Sequence, residues 1–155
     1  MIPLKFGRRH VFCISIACLL LSFGLGARGV LAQPSAGKDA IEASLSGQPG
    51  DAVRGKKIVL SRQLGLCILC HSGPFPEERF QGNLAPDLAQ SAAKLSIGQL
   101  RARVVDASQF NPDSIMPTYY RTDHLTRVAP QFAGKTILTA QEIEDVVAFL
   151  ASLKP

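Results

Sequence analysis

The sequence predicts an all-α domain of three or more short helices joined by long loops. Three observations carry this. Apolar residues recur at helical spacing in two stretches, Ile97, Leu100, Val104 and Val105, then Ile143, Val146, Val147, Leu150 and Leu153. Each stretch follows a capping-box signature, Ser96-x-x-Gln99 before the first and Thr139-x-x-Glu142 before the second. No segment alternates apolar and polar residues as a half-buried strand does, and there is no internal repeat.

Taken in order, the first helix is expected from Ala52 to about Leu64, with Asp51 as its cap. Gly55 lies inside it. Glycine costs about 1 kcal/mol against alanine in a helix interior, so it needs a packing reason. An irregular stretch then runs from Cys67 to about Leu88, punctuated by Gly73, Pro74, Pro76, Gly82, Asn83 and Pro86. The middle helix is expected from about Ser96 to Ala107. Asn111-Pro112-Asp113 and Met116-Pro117 are turn chemistry, and Pro117 biases Met116 away from the helical region. Irregular chain continues to about Ile137, before the last helix. This much loop in a small domain implies that the loops wrap something.

The N-terminus carries Lys5, Arg8 and Arg9, then an apolar run from Val11 to about Leu25 and a small-residue exit at Val30-Leu31-Ala32. This is the pattern of a cleavable secretory signal peptide over residues 1–32. The run is too short, and too rich in Ser, Gly and Ala, for a membrane anchor, which needs ~20 apolar residues. Cys18 sits inside the apolar run rather than after it, so lipidation is not expected. Residues 33–50 mix Ser, Gly, Pro, Ala and Gln and read as a flexible leader. Residues 51–155 make one small domain.

Cleavage changes the charge balance. Of 17 Lys+Arg, four (Lys5, Arg8, Arg9, Arg28) lie in the signal with none of the 12 Asp+Glu, which leaves 13 against 12 and a net charge of +1. Nucleic-acid binding thereby loses its electrostatic basis. Cleavage also removes Cys13, Cys18, Met1 and His10. Cys67 and Cys70 are then the only cysteines, Met116 the only methionine, and His71 and His124 the only histidines.

Cys67-Ile68-Leu69-Cys70-His71 is the c-type haem attachment sequence. Two thiols spaced by two residues can add across the two haem vinyl groups as thioethers. The adjacent His71 then presents an imidazole nitrogen to the iron. A thioredoxin-like redox pair would sit in a βαβ setting, which is not visible here. Structural zinc would need four Cys or His ligands, and the neighbours Cys70 and His71 cannot easily share a tetrahedral ion. The expected fold is therefore class I cytochrome c-like, with helices and long loops around one covalently bound haem c.

Candidates for the sixth iron ligand are Met116, His124, a lysine or an open position. Met116 is favoured, because its Pro-flanked loop can hold a thioether without helical constraint; His124 reads as a surface histidine. His/Met ligation saturates the iron and favours electron transfer. The second nitrogen of His71 needs an acceptor, and the Pro86 carbonyl is the expected one. Gly55 and Phe149 are candidates for a close crossing of the first and last helices, although Phe149 also fits ordinary core. Tyr119 and Tyr120 are expected near the haem or at a subunit interface.

Beyond the haem sequence, the chain resembles the SoxX family, monohaem cytochrome subunits of the SoxAX complex of bacterial sulfur oxidation. The resemblance runs from about Val53 to Lys154. It is carried by Gly82-Asn-Leu-Ala-Pro-Asp-Leu88, Leu100-Arg-Ala-Arg-Val-Val-Asp106, Asn111-Pro-Asp-Ser-Ile-Met-Pro-Thr-Tyr-Tyr120, Arg127-Val-Ala-Pro-Gln-Phe-Ala-Gly-Lys135 and Ile137-Leu-Thr-Ala-Gln141. Ala85 stands where the family often has glycine. The resemblance implies a periplasmic heterodimer with a SoxA-like haem subunit that carries the sulfur-binding cysteine. That complex joins thiosulfate to a cysteine of a carrier protein, as an L-cysteine S-thiosulfotransferase. This chain would accept the electrons at a His71/Met116 haem and pass them to a downstream cytochrome c, without being catalytic alone. A free periplasmic cytochrome that shuttles electrons is the alternative.

Overall fold

The computed structural model describes residues 39–154, so the expected signal peptide lies outside the described residues. Among the described residues there are four α-helices: α1 (Ala52–Leu60), α2 (Leu88–Lys94), α3 (Ile97–Asp106) and α4 (Ala140–Ser152). Three short 3-10 turns lie between them, at Cys67–Leu69, Ala107–Gln109 and Pro130–Phe132. Among the described residues there is no strand, only an isolated parallel bridge between His71 and Ala85. None of the described helices is long and apolar enough to cross a membrane.

Local chemistry sets the helix ends. Asp51 accepts from the Val53 and Arg54 amides at the start of α1. Both capping boxes form, Ser96 with Gln99 and Thr139 with Glu142, each satisfying amides that a helix start leaves open. Two boundaries differ from the sequence expectation. The first helix stops at Leu60 rather than near Leu64, because Ser61 turns extended (φ −72°, ψ 123°) and its hydroxyl takes the Gln63 and Leu64 amides. Residues 88–94 are helical although weak apolar periodicity concealed them. Their signal is the cap: Asp87 accepts from Ala89 and Gln90 at 2.9 and 3.1 Å.

The core forms where α1 and α3 pack on α4. Val59, Ile143, Val146 and Val147 are at most 2% exposed, and Phe75 tilts against Phe149 at 5.9 Å between ring centroids. Gly55 has its packing reason here. A Cβ at this position would collide with the Asp145 carbonyl and lie 2.8 Å from the Phe149 Cβ, so only glycine lets the backbones approach this closely. Gly55→Ala is expected to lower stability by about 1–3 kcal/mol, the range for overpacking a tight interior. Thermal or urea unfolding of the haem-loaded protein measures it, and an unchanged midpoint would refute the close crossing.

Two acids on α4 are buried side by side. Glu144 is 3% exposed and forms a two-pronged ion pair with Arg101 of α3, at 2.8 and 2.9 Å. Asp145 is gripped by the Nε and Nη2 of Arg54 at 2.7 and 2.8 Å. These groups also hold the segment before α1, which the sequence suggested would be flexible. Leu45 donates its amide to Glu144 at 2.8 Å, Asp51 donates its own to Asp145 at 2.8 Å, and Arg101 donates to the Ile41 and Glu42 carbonyls. Residues 39–50 are therefore a strap fixed across α3 and α4. Polar composition suggested otherwise because every partner of the strap is more than 50 residues away in sequence.

Burial pushes the carboxyls of Glu144, Asp145 and Asp106 up, but the cations and amide donors beside them prevail and hold all three below the ordinary carboxylate range. The stability they contribute is thus complete above the unfolded carboxylate values of about 4 and is lost as pH falls through the lower folded values. Unfolding midpoints are expected to be flat from pH 7 to 5 and to drop below pH 4. A loss already complete at pH 5 would contradict these assignments.

Candidate haem site

The site is built on a single tight turn. Leu66 adopts a left-handed conformation (φ 61°), which reverses the chain into the 3-10 turn Cys67–Leu69. The Cys67 carbonyl then accepts from both the Cys70 and His71 amides, at 3.1 and 2.9 Å. This winding brings Cys67, Cys70 and His71 to the wall of one cavity of about 230 Å³, while Ile68 points into the core and is fully buried.

A second segment locks the turn in place. Residues 82–88 run beside 68–72, with Gly82 donating to Ile68 at 2.9 Å, Ala85 to Cys70 at 2.9 Å and Leu88 to Ser72 at 2.8 Å. A Cβ on Gly82 would strike the Leu69 and Cys70 backbone, so the approach requires glycine. The same pairing sets the Pro86 carbonyl 2.6 Å from Nδ1 of His71. That contact assigns the ring proton to Nδ1 and turns Nε2 free as a metal donor.

Met116 lines the same cavity as Cys67, Cys70 and His71. Its amide receives support from the Ser114 hydroxyl at 3.2 Å, within the loop that follows the 3-10 turn Ala107–Gln109. A neighbouring hollow of about 400 Å³ shares His71, Leu88, Val104, Met116 and Leu150 with the first, so His71 and Met116 border both. Apart from His71, Tyr119 and the two thiols, the first cavity is lined by apolar groups. His124 is elsewhere: it is exposed, in a left-handed conformation (φ 54°), with its ring 3.4 Å from the Asp123 carboxylate.

The electrostatics disfavour a reactive thiolate at Cys67. Reactive thiols have depressed pKa values, through nearby cations or helix termini. Burial instead pushes the Cys67 thiol up to about 11, against weaker lowering from Tyr119 and the backbone. The Cys67 Sγ points at the Gly65 carbonyl, 3.3 Å away. The donor set fits a covalently attached haem: two thiols on one turn, an imidazole oriented through its outer nitrogen and a thioether, all lining one largely apolar cavity. Among the described residues, no cluster of three or more His, Cys, Asp or Glu offers a competing metal site.

Residues 52–154 match the cytochrome c family model. The chain belongs to the cytochrome c family. Such a cytochrome carries covalently bound haem c, and Cys67 and Cys70 are placed as its attachment sequence requires. No curated protein matches the chain significantly. Among solved structures, the chain is similar to a chain of the SoxXA crystal structure from P. pantotrophus, with 38% identity and a TM-score of 0.69. The match covers 76% of this chain and 91% of that one. It supports a SoxX-type cytochrome with an all-α class I fold.

Sequence reasoning named both cysteines, His71 and Met116, which line one cavity, and Pro86, whose carbonyl contacts His71. It left Tyr119 undecided between haem and interface. Tyr119 is 2% exposed and lines the cavity, with its hydroxyl donating to the Gly65 carbonyl. Nothing local in Thr118-Tyr119-Tyr120 distinguishes that residue from its neighbour, because its partner lies on a loop 54 residues earlier.

Proposed function

We propose that this cytochrome is the electron-accepting subunit of a periplasmic thiosulfate-oxidising complex, paired with a SoxA-like haem subunit. In this reading Cys67 and Cys70 carry the thioether links, His71 and Met116 are the axial iron ligands, and the Pro86 carbonyl orients His71. The observation that carries it is the convergence of His71 and Met116 on the apolar cavity whose wall holds both cysteines. Haem c, when bound, supplies one-electron oxidation and reduction at its iron.

The residues define the rest of the role. An imidazole and a thioether leave no iron position open to substrate, which restricts the site to electron transfer. Hydrogen bonding to Pro86 raises the basicity of His71 and keeps its ring from rotating. The apolar lining excludes water, so little solvent has to reorganise when charge changes. Ile115 and Leu69 line the cavity yet are 78% and 43% exposed, which brings the cavity to the surface at an apolar rim where a redox partner can come close. With both mature cysteines in thioethers, the sulfur chemistry belongs to the partner. Together the two subunits act as an L-cysteine S-thiosulfotransferase that conjugates thiosulfate to a carrier-protein cysteine, and a downstream cytochrome c removes the electrons.

Purification of the native complex followed by thiosulfate and carrier addition tests this. The expected result is co-purification with a second haem chain and reduction of this haem only when both substrate and carrier are present. A monomeric haem protein that remains oxidised under those conditions would identify a free electron shuttle instead.

A further inference from the structure

Gly65 and Met116, 51 residues apart, belong to different loops, one leading into the cysteine turn and the other bearing the thioether. The side chain that joins them is Tyr119. It is 2% exposed, and its hydroxyl donates to the Gly65 carbonyl. Its own carbonyl accepts from the Ile137 and Leu138 amides at 3.0 and 3.1 Å, and the next amide, Tyr120, donates to Val105 at 3.2 Å. Tyr119 is thereby held to three other parts of the chain, and only Pro117 and Thr118 separate it from Met116. Pro117 removes one of the few free torsions in that interval.

The Gly65 carbonyl accepts from two donors, the Tyr119 hydroxyl and the Cys67 thiol. Thioether formation at Cys67 consumes the thiol hydrogen, which leaves Tyr119 as the remaining donor to that carbonyl. The hydroxyl is dispensable for filling space, since phenylalanine has the same ring. We propose that Tyr119 is a positioning residue for the axial thioether: its hydroxyl ties the Met116 arm to the loop that carries Cys67, and so holds Met116 on the iron. This rests on the ligand assignment made above. Burial pushes the phenol up, so it remains a protonated donor throughout the working range.

Imidazole added to the ferric holoprotein competes with Met116 for iron and reads how firmly the thioether is held. Tyr119→Phe is expected to keep one covalently attached haem and an unchanged reduced α-band. It should raise imidazole affinity about tenfold, the equilibrium equivalent of one lost hydrogen bond, and weaken the thioether charge-transfer band. In a Met116→Ala background the same substitution should not change imidazole affinity, because no thioether remains to be held. Val147→Ala supplies the control, since Val147 is buried in the core without lining the cavity. If it raises imidazole affinity as much as Tyr119→Phe does, general loosening explains the effect and the proposal falls. Unchanged affinity in Tyr119→Phe also overturns it. If Met116→Ala itself leaves the charge-transfer band intact, the ligand assignment has failed, a result distinct from failure of the Tyr119 link.

Discussion

Met116→Ala is expected to abolish the charge-transfer band at ~695 nm that marks iron–thioether bonding. The variant should still attach haem, because neither the backbone hydrogen bonds of the turn carrying Cys67, Cys70 and His71 nor the His71–Pro86 contact uses the Met116 side chain. Its reduction potential should fall by on the order of 100 mV, a modest part of the range of about 0.8 V that axial ligands control. The physical reason is that a thioether donates little charge and so favours the reduced iron. A vacated position should also bind imidazole or cyanide far more readily than the parent protein does. Spectroscopy, redox titration and ligand binding report these effects separately. A band that survives unchanged would remove Met116 from the iron and reopen the choice among His124, a lysine and no ligand.

Arg101→Met is expected to be the most destabilising substitution outside the haem site. Arg101 and Glu144 are 5% and 3% exposed, and the Nε and Nη2 of Arg101 donate to the two carboxylate oxygens of Glu144. Removing the cation strands a carboxylate in the interior, a change that costs about 3–5 kcal/mol when a buried pair is broken. Against a typical total of about 5–15 kcal/mol, that is a large fraction. It also deprives the Ile41 and Glu42 carbonyls of their donor, so the strap before α1 should loosen. Urea unfolding at pH 7 measures the first effect, and limited proteolysis between Asp39 and Gly50 the second. The double variant Arg101→Met, Glu144→Leu should recover much of the loss, since an apolar pair of similar volume avoids the desolvation cost. If Arg101→Met alone unfolds at the parent midpoint, the pair contributes only solvated surface charge.

Sequence and structure agree most closely where the information is local. The two capping boxes, the Asp51 cap and the apolar spacing of α3 and α4 are short-range signals, and each produced the element it indicated. Gly55 was legible as a costly residue in a helix and, with Phe149, as a candidate for a close helix crossing, but the carbonyl that forbids a Cβ there, that of Asp145, lies 90 residues away. The strap at residues 39–50 was illegible for a related reason: its composition is polar, and its order comes from buried charges on α3 and α4. The helix α2 was missed because its apolar spacing is weak, although Asp87 and Gln90 marked its start.

By itself the sequence determined that two thiols and an imidazole lie within five residues, that Met116 is the one methionine beyond Met1, and that the domain is helical. Those conclusions follow from covalent spacing and residue chemistry, which do not depend on the rest of the chain. Tertiary structure alone decided that Arg101 and Glu144 are buried together and that Tyr119 spans from the Met116 arm to Gly65. Each is a contact between residues distant in sequence. Such contacts arise only when burial of the core brings the segments together, so no local pattern can encode them.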